Sequence, residues 1–205
     1  MRFGNFPMNS IVLNLWIALA WAAIMAVVAP YWGLKGRISW TTRMMVVAVI
    51  VLLAVSCAWY DGHWKWRFDI YLGIWSVIAY VDWKEQIIPN RWVLATIVWG
   101  LVSTPWTYWL IGQNALMALS LFLFYLGVYA ISRGGLGLGD VKFGAALGLV
   151  LGWPQGLMAS VIGLWTAGIY ALVLLVAFRR SRSEPIALGP FLVLGGFAGL
   201  LGVLH

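Results

Sequence analysis

Two of the six acidic side chains stand where they could do chemistry. Asp82 lies in "IAYVDWKEQIIPN", at the end of an apolar run, and Asp140 lies in "GGLGLGDVK", at the start of another. A carboxylate at membrane depth is costly unless it has a partner or a function. Two carboxylates close together in a low dielectric do not both ionise easily near neutral pH, so the pair shares one proton. Such a pair can hydrolyse a peptide bond without a metal, because one carboxylate takes a proton from water while the other polarises the carbonyl.

The composition indicates that a membrane surrounds these acids. Of the 205 residues, 63% are hydrophobic and 9% are charged, and uncharged runs of about 20 residues recur along the chain. The net charge of +7 comes from Lys and Arg scattered through short connections, so we expect no nucleic-acid partner. The single cysteine, Cys57, lies in an apolar run and is not enough for a disulfide or a thiolate zinc site. We expect no metal and no cofactor.

The uncharged runs predict an all-α, polytopic membrane helical bundle with about eight transmembrane segments. Two long runs need internal breaks, which we place at "IGQN" and "GWPQG" because Gly, Pro and Asn interrupt helices. The predicted segments are Ser10–Pro30, Met44–Tyr60, Trp66–Val81, Arg91–Ile111, Asn114–Ser132, Val141–Trp153, Gln155–Phe178 and Ala187–Leu204.

The topology predicts that the two acids share one side of the membrane. Two crossings separate Asp82 from Asp140, and an even number of crossings returns the chain to the same face. Ten Lys and Arg residues fall in the connections on that side and three on the other, which favours a cytoplasmic location for the acids and an outside location for both termini.

The glycines before Asp140 predict a sharp turn and a close approach to a neighbouring backbone. The simpler alternative is that Asp140 only caps a helix and that Asp82 only marks a membrane boundary. Lys142 follows Asp140 by two residues, a spacing that points away from it on a helix, so headgroup contact or substrate contact are its two alternatives. Glycines at four-residue spacing, Gly144, Gly148 and Gly152 and also Gly195 and Gly199, predict close helix packing.

The stretches around Asp82 and Asp140 resemble those of the type IV prepilin peptidases, a family of polytopic aspartyl proteases. "GLGDVKFGAALGLVLGW" is similar to the family's GxGDxK motif and the helix after it, and the similarity resumes at "IALGPFLVLGG". The resemblance implies that Asp82 and Asp140 are the catalytic pair. It also implies that Pro89 and Asn90 belong to the loop after Asp82. Gly137, Gly139 and Lys142, which complete the second motif, are implied to position loop or substrate.

The resemblance implies a single integral membrane peptidase domain over 1–205, with a catalytic core at about 66–205. Its expected activity is cleavage of the basic leader from type IV prepilins or pseudopilins, typically after glycine, at the cytoplasmic face of the plasma membrane. Bifunctional members carry paired cysteines between their first two helices and also methylate the product, whereas "YWGLKGRISWTTR" has no cysteine. We therefore expect no methyltransferase activity. Partners are the precursor and the lipid bilayer, and no oligomeric state follows.

Two other functions stay open at this point. A presenilin-like or signal-peptide-peptidase-like protease also carries GxGD but cuts within the membrane, although its PAL motif is not found here. A small proton-coupled transporter would use membrane acids to relay protons.

Overall fold

The computed structural model describes residues 65–104, 107–132, 135–177 and 186–203. The predicted segments Ser10–Pro30 and Met44–Tyr60 lie outside the described residues. The chain divides into two compact units, Met1–Ser76 and Val77–His205. In the first unit the rings of Tyr71 and Trp75 are 5.0 Å apart between centroids. All contacts discussed below lie within the second unit.

The described residues form helices and short connections, without a strand. The all-α prediction is therefore confirmed for this part of the chain. The helices are α1 (Lys65–Glu85), α2 (Asn90–Ser103), α3 (Tyr108–Ser132), α4 (Leu138–Leu151), α5 (Gln155–Ala177) and α6 (Gly189–Val203).

The predicted break at "IGQN" is wrong, because α3 runs through these residues without interruption. The helices separate earlier, after Ser103, where Thr104 has extended geometry with φ −90° and ψ 131°. Thr104 precedes Pro105 in the sequence, and a residue before proline avoids helical geometry because of the proline ring. The Thr107 hydroxyl then accepts a hydrogen bond from the Leu110 N–H at 3.3 Å, as a helix cap does.

Asn114, which suggested the turn, has a different role. Its side chain is buried, and its amide Nδ2 donates a 2.8 Å hydrogen bond to the carbonyl of Leu149 on α4. A side-chain amide can satisfy a carbonyl near the end of a neighbouring helix as well as it can make a turn. The second predicted break, at "GWPQG", is confirmed, since α4 ends at Leu151 and α5 begins at Gln155.

Helix α4 lies at the centre of the second unit, packed against α2, α3, α5 and α6. Small residues on α4 permit this close packing. A Cβ added at Gly148 would lie 2.8 Å from the Met117 carbonyl oxygen on α3, and one at Gly144 would overlap the Tyr125 ring. The Tyr125 hydroxyl in turn lies 2.7 Å from the Ser160 hydroxyl on α5, deep in the core.

The glycines predicted to allow close helix packing do so on α6 as well. A Cβ at Gly195 would overlap the Ala159 carbonyl on α5, and one at Gly199 would lie 2.9 Å from the Gln155 carbonyl oxygen. Gly152 also lies close to α3, because a Cβ there would overlap the Asn114 side chain, and its φ of 65° lets the chain leave α4.

Two described helices are long and apolar enough to cross a bilayer, over Leu110–Ser132 and Gln155–Val176. Much of their large apolar surface faces outward, and Val176, for example, is 73% exposed. Apolar side chains around a helix are expected where the surroundings are not water. The eight-segment count is finer than the described helices can test.

Candidate active site

Asp140 lies in the first turn of α4, three residues after Gly137, which precedes the helix in extended geometry. Its Oδ2 accepts a 3.0 Å hydrogen bond from the Gly137 N–H. This is one half of a capping box, in which a side chain in the first turn reaches back to an otherwise unpaired amide. The acid is thereby held by its own sequence neighbours.

Capping alone does not account for the position of Asp140. The side chain is only 8% exposed, and its Oδ1 is buried without a hydrogen-bond partner in the described structure. A carboxylate that served only as a cap would normally leave its second oxygen in water, since burying an unpaired polar atom costs about 1–3 kcal/mol. Oδ1 is thus a buried atom that can accept or carry a proton.

Asp82 lies in the last turn of α1 and is only 4% exposed. Its Oδ2 accepts a buried 2.7 Å hydrogen bond from the backbone N–H of Gly189, the first residue of α6. The donor belongs to "IALGPFLVLGG", the C-terminal stretch of the sequence resemblance. The two acids are therefore each held by a backbone amide at the start of a helix.

Both acids lie outside the predicted membrane segments, Asp82 after Trp66–Val81 and Asp140 before Val141–Trp153. Burial, followed by the charge of Asp82, raises the pKa of Asp140, while the Gly137 N–H opposes the rise. Burial also raises the pKa of Asp82, and the Gly189 N–H opposes that rise. The charge of Asp82 acts on Asp140, so ionisation of both carboxylates at once is unfavourable.

The chain after Asp82 turns directly toward the glycines before Asp140. Gln86 has a positive φ of 55°, and Ile88 packs with 5% exposure. A Cβ added at Gly139 would lie 2.8 Å from the Ile88 Cβ, so only glycine allows this approach. The predicted close approach is therefore found at Gly139. The described glycines before Asp140, which are Gly135, Gly137 and Gly139, have no positive φ. Gly134, which belongs to the same predicted turn, lies outside the described residues.

Lys142 and Asn90 form a second link between the same two regions. The Lys142 Nζ donates a 3.0 Å hydrogen bond to the Asn90 Oδ1 at an exposed position. Pro89 precedes α2 in extended geometry, and its carbonyl accepts the Trp92 N–H at 3.0 Å. Lys142 thus contacts the loop after Asp82, a partner that neither sequence alternative named.

The seven site residues that the resemblance implies all lie at this junction, and two further residues belong to it. Ile88 and Gly189 contact Gly139 and Asp82 respectively. The sequence signal for Gly189 was the "IALGPFLVLGG" match, but nothing in that match indicates which acid it touches. Within the described ranges, no three His, Cys, Asp or Glu side chains come together as a metal site.

The part of the chain that is similar to known proteins includes both acids. The sequence profile of the type IV leader peptidase family matches residues 70–172. The chain is 32% identical over 166 residues to the prepilin leader peptidase/N-methyltransferase of Pectobacterium carotovorum subsp. carotovorum, covering 76% of this chain and 58% of the relative. It is 31% identical over 178 residues to the protein of that name from Dickeya chrysanthemi, covering 81% and 61%.

The chain thus spans less than two thirds of the length of these relatives. No solved structure matches it significantly. The family match nevertheless extends over half of the chain and includes Asp82, Asp140 and the stretches of sequence around them. This chain belongs to the type IV leader peptidase family.

Proposed function

We propose that the protein is a membrane aspartyl endopeptidase that removes the basic leader from type IV prepilins or pseudopilins. The observation that carries the proposal is the pair of buried, interacting carboxylates, Asp82 and Asp140, each held by one backbone amide. The family match and the printed names of the relatives supply the substrate class.

In the proposed reaction, the ionised carboxylate of the pair takes a proton from a water molecule, whose oxygen attacks the scissile carbonyl carbon. The protonated partner donates a hydrogen bond, and then its proton, to the carbonyl oxygen. The tetrahedral intermediate collapses when the first carboxyl gives the proton it took from water to the amide nitrogen and the carbon–nitrogen bond breaks. A hydroxyl proton of the intermediate returns to the partner carboxylate, which restores the pair with one shared proton. The products are a leader with a new carboxyl terminus and a pilin precursor with a new amino terminus. The residues assigned to this step need no metal or cofactor.

The remaining site residues are proposed to hold the two acids together. Gly139 lets the second motif approach Ile88, and Lys142 binds Asn90, next to Pro89. Gly137 leaves room for the Asp140 carboxylate, since a Cβ there would lie 3.1 Å from its Oδ2. These contacts support a positioning role rather than a direct role in the chemistry.

The proposed setting is the plasma membrane, with about eight crossings, a single domain over 1–205 and a catalytic core from about 66 onward. The outward apolar surfaces of α3 and α5 support a lipid environment. The distribution of Lys and Arg supports a cytoplasmic active site. Methyltransferase activity is not part of the proposal.

The test is cleavage of a purified prepilin-type precursor by the reconstituted full chain, read by mass spectrometry. Asp82→Asn and Asp140→Asn are each expected to lower kcat/KM by at least about 10³-fold, because each removes a proton-transfer group. Glu85→Gln, at the end of the same helix as Asp82, is the matched control and should keep activity. Full activity in either aspartate variant would contradict the pairing.

The new amino terminus of the product separates this proposal from its alternatives. A cut after glycine at the boundary between leader and apolar helix supports prepilin processing. A cut within the apolar helix would instead indicate a presenilin-like protease. An intact precursor together with solute movement in the same proteoliposomes would indicate a transporter.

A further inference from the structure

We propose that the backbone N–H of Gly189, at the start of α6, is a positioning group that holds the Asp82 carboxylate in its working geometry. The inference deepens the proposed function and rests on it. It assigns a role to a residue that lies beyond the stretch matched to the family profile, which ends at residue 172.

The first observation is the hydrogen bond itself. The Gly189 N–H donates to the Asp82 Oδ2 at 2.7 Å in a buried setting, across 107 residues of sequence. Hydrogen bonds to an ionised acceptor are short, and a helix N-terminus adds favourable dipoles toward a negative charge. Both effects favour the ionised form of Asp82.

The second observation is that the approach is too close for any other residue. A Cβ at position 189 would lie 2.8 Å from the Asp82 Oδ2 and 3.0 Å from both its Cβ and its Cγ. The obstacle is the carboxylate itself, on a short side chain that is only 4% exposed. A larger residue at 189 therefore has to displace the acid or the start of α6.

A third observation shows how the start of α6 is kept against the end of α1. The Tyr170 ring on α5 lies 5.9 Å from the Trp83 ring and 5.2 Å from the Phe191 ring, between centroids. Trp83 follows Asp82, and Phe191 is two residues after Gly189. One aromatic side chain thus connects both partners of the hydrogen bond.

The Gly189 N–H differs from the charged and titratable groups around Asp82, because it is a hydrogen-bond donor that does not titrate. Asp140 on α4 interacts with Asp82 and disfavours a second negative charge. Helix α6 carries no titratable side chain from Gly189 to Val203, so its donor is present at every pH. The other titratable side chains on α1 from Val77 onward and on α2, α4 and α5 are Tyr80, Lys84, Glu85, Arg91, Lys142 and Tyr170.

The experiment compares Gly189→Ala with the wild-type full chain in the precursor-cleavage assay over a range of pH. Displacement of the acid should lower kcat/KM about tenfold or more at the wild-type optimum, since about 1 Å of misplacement can reduce a rate 100-fold. The weakened hydrogen bond should move the acid limb of the pH profile up by about one unit, a tenfold change in the ionisation constant of the pair.

Two glycine variants serve as controls. Gly195→Ala introduces a clash with the Ala159 backbone between α5 and α6, and Gly168→Ala enters open space on α5. Gly195→Ala should reduce the amount of folded protein without shifting the acid or basic limb of the pH profile of kcat/KM. Gly168→Ala should behave as wild type. If Gly189→Ala lowers activity only in proportion to its folded fraction, with unchanged limbs, the inference is wrong.

A measurement on the unaltered protein covers the case in which Gly189→Ala does not fold. In a sample labelled with ¹⁵N-glycine, one amide proton should resonate far downfield, shift as the pair titrates, and lose both properties in Asp82→Ala. Absence of such a resonance would overturn the inference even if the wild-type chain cleaves the precursor. Its presence in a chain that cleaves no precursor would support the hydrogen bond and contradict the proposed function instead.

Discussion

The two candidate catalytic acids are held by the same kind of bond but from very different distances along the chain. Asp140 accepts the N–H of Gly137, three residues before it, whereas Asp82 accepts the N–H of Gly189, 107 residues after it. The first bond forms whenever α4 begins at this point, and the second needs α6 packed against the end of α1. The surroundings of Asp140 are thus a local property of its motif, and those of Asp82 are a property of the tertiary fold.

This difference explains why one motif is easier to recognise than the other. The glycines around Asp140 each have a visible task, since Gly137 leaves room for the carboxylate and Gly139 lies against Ile88. The stretch after Asp82 ends in "IIPN", and its last residue, Asn90, begins α2. This stretch contacts the second motif through Ile88 and Asn90. When the hydrogen-bond partner of an acid is distant in sequence, the residues next to the acid in sequence do not indicate its role.

Among changes to the contacts between the two motifs, Gly139→Ala is expected to have the largest effect on kcat/KM. The added Cβ would lie 2.8 Å from the Ile88 Cβ and 3.3 Å from its carbonyl oxygen, so the two motifs must separate. We expect kcat/KM for precursor cleavage to fall about 100-fold, because small displacements of reacting groups are that costly. Gly127→Ala, at a position with no atom within 4 Å of the new Cβ, should keep wild-type kinetics. Equal kinetics for the two variants would mean that the contact with Ile88 does not set the distance between the acids.

An intermediate effect is expected on stability from neutralising either acid. A raised pKa means that the folded protein is stabilised by the protonated acid and loses that stability as pH rises from the ordinary value of about 4 through the raised one. Asp82→Asn and Asp140→Asn keep an acceptor oxygen for the amide but carry no charge. At neutral pH each should therefore raise the free energy of unfolding, by on the order of 1 kcal/mol.

Denaturation of the full chain in detergent at several pH values measures this effect. Below pH of about 4 the variants and the wild type should converge, because every acid is then protonated. The stability difference should open as the pH rises. A difference that shrinks with rising pH would mean that the folded protein prefers both carboxylates ionised.

The smallest effect is expected at the exposed contact between Lys142 and Asn90. Lys142→Met and Asn90→Ala should each lower kcat/KM only a few-fold, because exposed hydrogen bonds contribute about 1 kcal/mol or less. The double variant should be no worse than the more severe single one, since both changes break the same contact. Fully additive losses would instead indicate that Lys142 binds the substrate or lipid directly. Asn90→Asp, which keeps an acceptor for Lys142, should retain most of the activity.

Sequence reasoning located most of the described helices but misplaced the boundary between α2 and α3 for a physical reason. The "GWPQG" break was predictable because Gly152 and Pro154 both interrupt helices, and α4 ends there. The "IGQN" break was wrong because Asn114 finds its partner on α4, at the Leu149 carbonyl, and so stays inside a helix. A polar residue in an apolar run looks the same in sequence whether it turns the chain or binds another helix.

By itself the sequence determined the family, the all-helical class of the described residues and the choice of Asp82 and Asp140 as candidate acids, because apolar runs and glycine spacing are patterns of residues close together in the chain. The hydrogen bond from Gly137 to Asp140 is also a local feature, since donor and acceptor are three positions apart in the sequence. Only the tertiary structure decided that Asp82 is held by Gly189, that Gly139 meets Ile88 and that Lys142 reaches Asn90. These contacts join residues about 50 to 107 positions apart, and the packing of helices around α4, rather than any local pattern, brings them within hydrogen-bonding distance.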